Sequence, residues 1–272
     1  MPASKTDFGP SPKPEPGRAR WLLNLLLPLL QPLAGRMAEL TGFGQPVSLV
    51  SAAHNTPVTP AGYTFSIWLP IFALSIAWGV WQALPAGRAT RLAHRLGWPL
   101  AMAFALNILW MLLAQLTGMG WHLVIVILGV LAFALLAFLL FVRDPGEGGV
   151  GRTIATPLVG LLAGWVSMAA FVNVASAAQA SGFIAAGAAG TFTAVLLLLA
   201  TGGFATAIVA LVRDSLWYLA AVVWALAGIV LANAGMRDVE PAPAIVAGAM
   251  LALVVAVHVM RRRADPPPKP AP

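Results

Sequence analysis

The chain of 272 residues has no cysteine, and only 9% of its residues are charged, against about 25% in soluble domains. Without cysteine there is no disulfide framework, no thiolate metal site and no cysteine nucleophile. All three lysines, Lys5, Lys13 and Lys269, sit in the terminal segments. A retinal Schiff base is thereby excluded, because its imine needs a lysine amine inside a helical bundle. No Asp or Glu falls within an apolar run between 62 and 260. That argues against proton- or sodium-coupled transport, whose ionisable groups usually lie at the membrane midplane. Tyrosine is scarce as well, 2 residues beside 10 tryptophans.

Apolar residues fill the space these absences leave. They make up 60% of the chain, enough for roughly eight helices of about 20 residues each. A soluble fold of this length could not bury so much, so an ordinary soluble enzyme, a nucleic-acid binder and a disordered chain are excluded. Each run is about twice the length a barrel strand needs. The expected fold is therefore an all-α, polytopic transmembrane helical bundle of about eight spans, with the lipid bilayer as its medium and no nucleic-acid partner. The net charge of +7 then reads as a topology signal.

Stretches free of Asp, Glu, Lys and Arg, apart from Arg36 and Glu39 near the end of the first, place helices at about 21–40, 62–84, 97–116, 121–142, 154–180, 187–212, 215–235 and 242–260. Two longer runs break at Thr117-Gly118-Met119-Gly120 and near Ser181-Gly182. Proline-rich tails at 1–20 and 261–272 flank the spans and are expected to be extended. With eight spans, every lysine and arginine except Arg36 and Arg237 falls on one side. This asymmetry puts both termini in the cytoplasm, with a bacterial inner membrane as the expected location. Arg36 and Glu39, three residues apart, are expected to pair at the interface.

The polar residues inside the runs are amides and hydroxyls, among them Asn24, Gln31, Asn107, Gln115, Ser167, Asn173, Ser176 and Asn233. In lipid each should face the bundle, with interhelical hydrogen bonding as the default role. Three spacings suggest more. Phe65, Trp68 and Phe72 fall on one face of the second helix, Asn107 and Trp110 share a face of the third, and Trp165, Ala169 and Asn173 form a stripe on the fifth. An aromatic-walled cavity with a few amides suits a flat apolar ligand with polar edges. Trp21, Trp98, Trp121 and Trp217, at span ends, read instead as interfacial anchors.

Of the four histidines only His54, in the 41–61 loop, lies near a plausible pocket, where axial haem ligation is its other conceivable use. No histidine or carboxylate spacing suggests a metal site. Gly160-Leu161-Leu162-Ala163-Gly164 permits close helix approach, either inside the chain or in a homodimer.

These residues carry a resemblance. Pro60-Ala61-Gly62-Tyr63-Thr64-Phe65 followed by Trp68 and Phe72 resembles the start of the second helix in the tryptophan-rich sensory protein family (TspO/MBR, the translocator protein family). Leu106-Asn107-Ile108-Leu109-Trp110 resembles that family's third helix, and Trp165-Val166-Ser167-Met168-Ala169 with Asn173 its fifth. The family's double proline is Pro60-Ala61 here, Leu161-Leu162 replaces a Pro-Tyr pair, and Trp110-Met111-Leu112 a W-S-P. Short members have five helices, so the chain divides into a TspO-like core at 21–182 and a three-helix extension at 183–260, as in the longer, divergent branch.

The resemblance implies a bundle that binds tetrapyrrole- or sterol-like molecules under a lid formed by the first loop. The expected ligand-binding residues are Tyr63, Phe65, Trp68, Phe72, Asn107, Trp110, Trp165, Ala169 and Asn173, with His54 and Pro60 in the lid. No catalytic residue, metal or required cofactor is expected; a tetrapyrrole enters only as ligand. The function expected is a membrane ligand-binding sensor or carrier. The alternative is a small-solute permease in which Gly202-Gly203 breaks the sixth helix. A porphyrin-degrading enzyme would have to rely on tryptophan or ligand photochemistry. The resemblance also favours a retained first helix over a signal peptide, which Arg18, Arg20 and the Trp21–Leu33 run would otherwise suit.

Overall fold

The computed structural model describes residues 17–146, 148–184, 188–212, 216–235 and 241–264. Most of both tails, together with Arg213 and Arg237, lies outside the described residues. Within them the chain forms α1 (Arg18–Gly35), α2 (Met37–Thr41), α3 (Val47–Ala53), a 3-10 helix (Gly62–Ile67), α4 (Trp68–Ala83), α5 (Pro85–Arg88), α6 (Arg91–Thr117), α7 (Trp121–Arg143), α8 (Val150–Ala180), α9 (Ala188–Leu211), α10 (Leu216–Gly235) and α11 (Ala242–Ala264).

Seven of these are long and apolar enough to cross a membrane: the 3-10 helix with α4, then α6, α7, α8, α9, α10 and α11. Their boundaries follow local chemistry. Thr90 caps α6, its hydroxyl accepting from the Ala93 N–H at 3.2 Å, which starts the helix at Arg91 rather than at 97. Gly118, at φ 73°, ends it. The last helix continues through Arg261, Arg262 and Arg263 rather than stopping at 260.

The first helix corrects the expectation. It starts at Arg18, ends at Gly35 and is followed by the separate short α2, in place of one helix over 21–40. It also falls short of the apolarity of the other seven. Its orientation explains this. Arg20, Asn24, Pro28, Gln31 and Ala34 are buried, whereas Leu23, Leu26, Leu29, Leu30 and Leu33 face outwards. Leucines outside and amides inside is the pattern of a helix solvated by lipid. Pro28 has no N–H to offer the Asn24 carbonyl, and Gly79 of α4 packs directly on that carbonyl, where a Cβ would collide.

α8 is the axis of the molecule, with 78% of its most apolar stretch buried. α1 lies between α4 and α6; α7 joins α6 to α8; α10 packs on α8; and α11 packs against α9 and α10. The G-x-x-x-G motif is used inside the chain. A Cβ on Gly160 would sit 2.5 Å from Trp217 Cβ, and one on Gly164 2.5 Å from the Tyr218 carbonyl oxygen. This close approach lets Tyr218 donate to Ser167 Oγ at 3.1 Å. α9 runs unbroken through Gly202 and Gly203, and Gly202 packs on Met250, so the expected transporter-like break is absent.

One end of the bundle gathers arginines. Arg95 pairs with Asp144 and donates to the Leu140 carbonyl at 2.7 Å, while the Arg88 guanidinium lies 4.2 Å above the Trp21 ring. The start of α1, the 85–96 segment and the end of α7 therefore share one end, as the basic asymmetry requires.

Candidate ligand-binding cavity

At the opposite end the helices line a partly open cavity of about 710 Å³, within the range of roughly 300–1,000 Å³ usual for small-molecule sites. Its aromatic lining comes from four elements. Phe65 in the 3-10 helix meets the edge of Trp165 on α8, with centroids 5.7 Å apart and planes at 82°. Trp68 meets Trp165 edge-on at 6.4 Å and stacks on Phe72 at 5.3 Å. Trp110 of α6 donates its indole N–H to Asn173 Oδ1 at 2.9 Å, and Asn173 in turn donates to the Ala169 carbonyl at 2.9 Å. Ala169, between Trp165 and Asn173, keeps the stripe open. These seven side chains all border the cavity.

Tyr63 and Asn107 do not. Tyr63 is exposed, and its ring meets Trp224 edge-on at 5.6 Å, outside the cavity. Asn107 is buried against α1, donating to Gln31 Oε1 at 2.8 Å. Three helical residues span about 300°, so Asn107 and Trp110 diverge by about 60° and reach different neighbours. In the lid, Pro60 borders the cavity, whereas His54 turns back onto its own segment, with Nδ1 3.2 Å from the Val50 carbonyl.

The 41–61 segment is held by three helices. The Gln45 N–H donates to the Gln115 carbonyl of α6 at 2.8 Å, and Ser176 Oγ of α8 donates to the His54 carbonyl at 3.1 Å. The third anchor is α10. Asn233 Nδ2 donates to the Pro57 carbonyl at 2.8 Å, the Trp224 indole N–H to the Thr64 carbonyl at 2.8 Å, and the Ala61 N–H to the Gly228 carbonyl at 3.1 Å. Gly228 allows this approach, because a Cβ there would strike Thr64.

α10 also supplies a wall of the cavity through Ala225, Ile229 and Ala232. Sequence reasoning gave the last three helices no role and missed these residues. The available signal was Trp224 and Asn233 bracketing Gly228 on a single helix: two side-chain donors around one place of close approach.

The family model described as TSPO-like protein matches residues 25–260, from the first helix through the last. No curated protein and no solved structure matches the chain. The match takes in the helices that carry the three motifs and also α9 to α11, and it spans most of the 272 residues. An integral membrane helical bundle with an aromatic cavity under its first loop, this chain belongs to the TSPO-like protein family.

Proposed function

We propose that the protein is a membrane sensor or carrier that binds a flat, hydrophobic, tetrapyrrole- or sterol-like molecule in this cavity, without itself performing chemistry on it. The observation that carries the reading is the wall of Phe65, Trp68, Phe72 and Trp165 facing one cavity. Edge-on and stacked aromatic rings present broad π surfaces to a planar guest. Tryptophan offers the widest ring and a single donor, which suits stacking better than tyrosine does.

The test uses the tryptophans as reporters. A porphyrin titrated into detergent-purified protein should quench their fluorescence saturably, with micromolar affinity. Trp165→Leu should weaken binding by about 1 kcal/mol, roughly fivefold. Asn173→Leu is the contrast: it removes the acceptor of Trp110, so the melting temperature should fall further than the affinity does. Failure of any porphyrin or sterol to bind folded protein would sink the reading. The permease alternative would then lead, and solute uptake into liposomes would test it.

The basic asymmetry supports an orientation in a bacterial inner membrane with both termini in the cytoplasm and the cavity at the outer face. Reporters fused after Arg263 or inserted in 85–96 should read cytoplasmic, and those in 41–61 external. A cytoplasmic signal from 41–61 would overturn the orientation.

A further inference from the structure

The corner where α1 starts, at the opposite end of the bundle from the cavity, holds buried donors with nothing to receive them. Arg20, the third residue of α1, is only 4% exposed. Its Nη2 donates to the Arg88 carbonyl at 3.3 Å, while its Nε is buried without a partner and its Nη1 makes no hydrogen bond. The neighbouring Trp21 indole N–H is likewise buried and unpartnered. The Trp21 ring lies beneath the Arg88 guanidinium, which brings a second positive charge to the corner.

No carboxylate among the described residues pairs with Arg20. Asp144, the one acid described at this end, is held by Arg95 and also faces Arg91. Covering a cation without a counter-charge is costly, yet the fold makes room for it. A Cβ on Gly97 of α6 would stand 2.6 Å from Arg20 Cδ, so glycine at that position lets the arginine lie where it does. The unused groups of Arg20 and Trp21 are all donors, and donors around a positive charge select an anion.

The surface beside the corner indicates what carries that anion. Leu23, Leu26 and Leu30 are exposed along one side of α1, in a ridge that starts within one turn of Arg20. Acyl chains solvate such a ridge, so an anion at Arg20 and chains on the leucines can belong to one lipid. Basic pockets between spans are a usual seat for acidic headgroups. We propose that the corner formed by Arg20, Trp21 and Arg88, between α1, α5 and α6, binds the phosphate of an anionic phospholipid whose chains lie along the leucine ridge. The site is separate from the aromatic cavity and does not depend on what that cavity holds.

Phosphatidylglycerol and phosphatidylcholine with identical acyl chains differ in net charge. Titrated into detergent-purified protein and followed by native mass spectrometry, phosphatidylglycerol should bind about tenfold more tightly. Arg20→Gln should abolish that preference. Arg263→Gln removes an exposed charge from the end of α11 and should leave the preference intact. If Arg20→Gln does not fold, Gly97→Ala takes its place: the added Cβ displaces the Arg20 stem, keeps the charge, and should lower the preference about threefold. Equal affinity for the two lipids, an undiminished preference in the corner variants, or a loss shared equally with Arg263→Gln overturns the proposal. Displacement of phosphatidylglycerol by an equal concentration of inorganic phosphate overturns the lipid assignment and gives the corner to a soluble anion.

Discussion

Replacing Gly164 by leucine is expected to remove most of the folded protein. The Cβ alone would stand 2.5 Å from the Tyr218 carbonyl oxygen and 2.9 Å from the Ala221 Cβ, and the first of these is backbone that cannot swing aside. Relief requires α8 and α10 to separate, which breaks the Tyr218–Ser167 hydrogen bond and uncovers the helix most buried in the bundle. Overpacking typically costs about 1–3 kcal/mol, and more where backbone must move. The yield of monodisperse protein in size-exclusion chromatography measures it. Gly203→Leu is the control, because nothing lies within 4 Å of a Cβ at that position. Gly164→Leu protein with full yield but altered association would instead assign the motif to an interface between chains.

The second large effect is expected at Asn24. Its Nδ2 donates to the Gly97 carbonyl at 2.6 Å and to the Arg20 carbonyl at 2.9 Å, while its Oδ1 accepts from the Trp78 indole at 3.2 Å. One side chain thereby ties α1 to α4 and α6. Asn24→Leu keeps the volume but leaves the fully buried Trp78 N–H without an acceptor, at an expected cost of about 2 kcal/mol. Thermal melting of the single variants and of the double variant with Trp78→Phe should give a coupling of about 1 kcal/mol. Additive losses would show that Asn24 acts through α6 alone.

The sequence made seven of the helices legible because lipid tolerates few charges, so charge-free runs mark spans directly. It misplaced the ends of the first, expected over 21–40, although it turned Asn24 and Gln31 inward as the structure does. The leucines alone mark neither the start at Arg18 nor the break at Arg36. In the cavity, helical spacing brought Trp165, Ala169 and Asn173 together correctly. Phe65 joined them by another route: it lies in the 3-10 helix, outside the α-helical repeat that starts at Trp68, and meets Trp165 across the cavity. The wall from α10 had only an indirect signal in Trp224, Gly228 and Asn233, since Ala225, Ile229 and Ala232 themselves are ordinary lipid-compatible residues until the fold aims them.

The hydrogen bonds that fasten the lid to α10 also bear on when the cavity comes into being. Trp224 and Thr64 are 160 residues apart in sequence, and Asn233 and Pro57 are 176. During synthesis the aromatic wall is complete once α8 has emerged, yet the loop above it has no third anchor and the cavity lacks a side until α10 follows. Long-range closures of this kind come late, after the helices between them have been ordered. A nascent chain therefore exposes a tryptophan-lined cleft for as long as the ribosome takes to reach α10. The interval between the two events is set by translation rather than by the cavity itself.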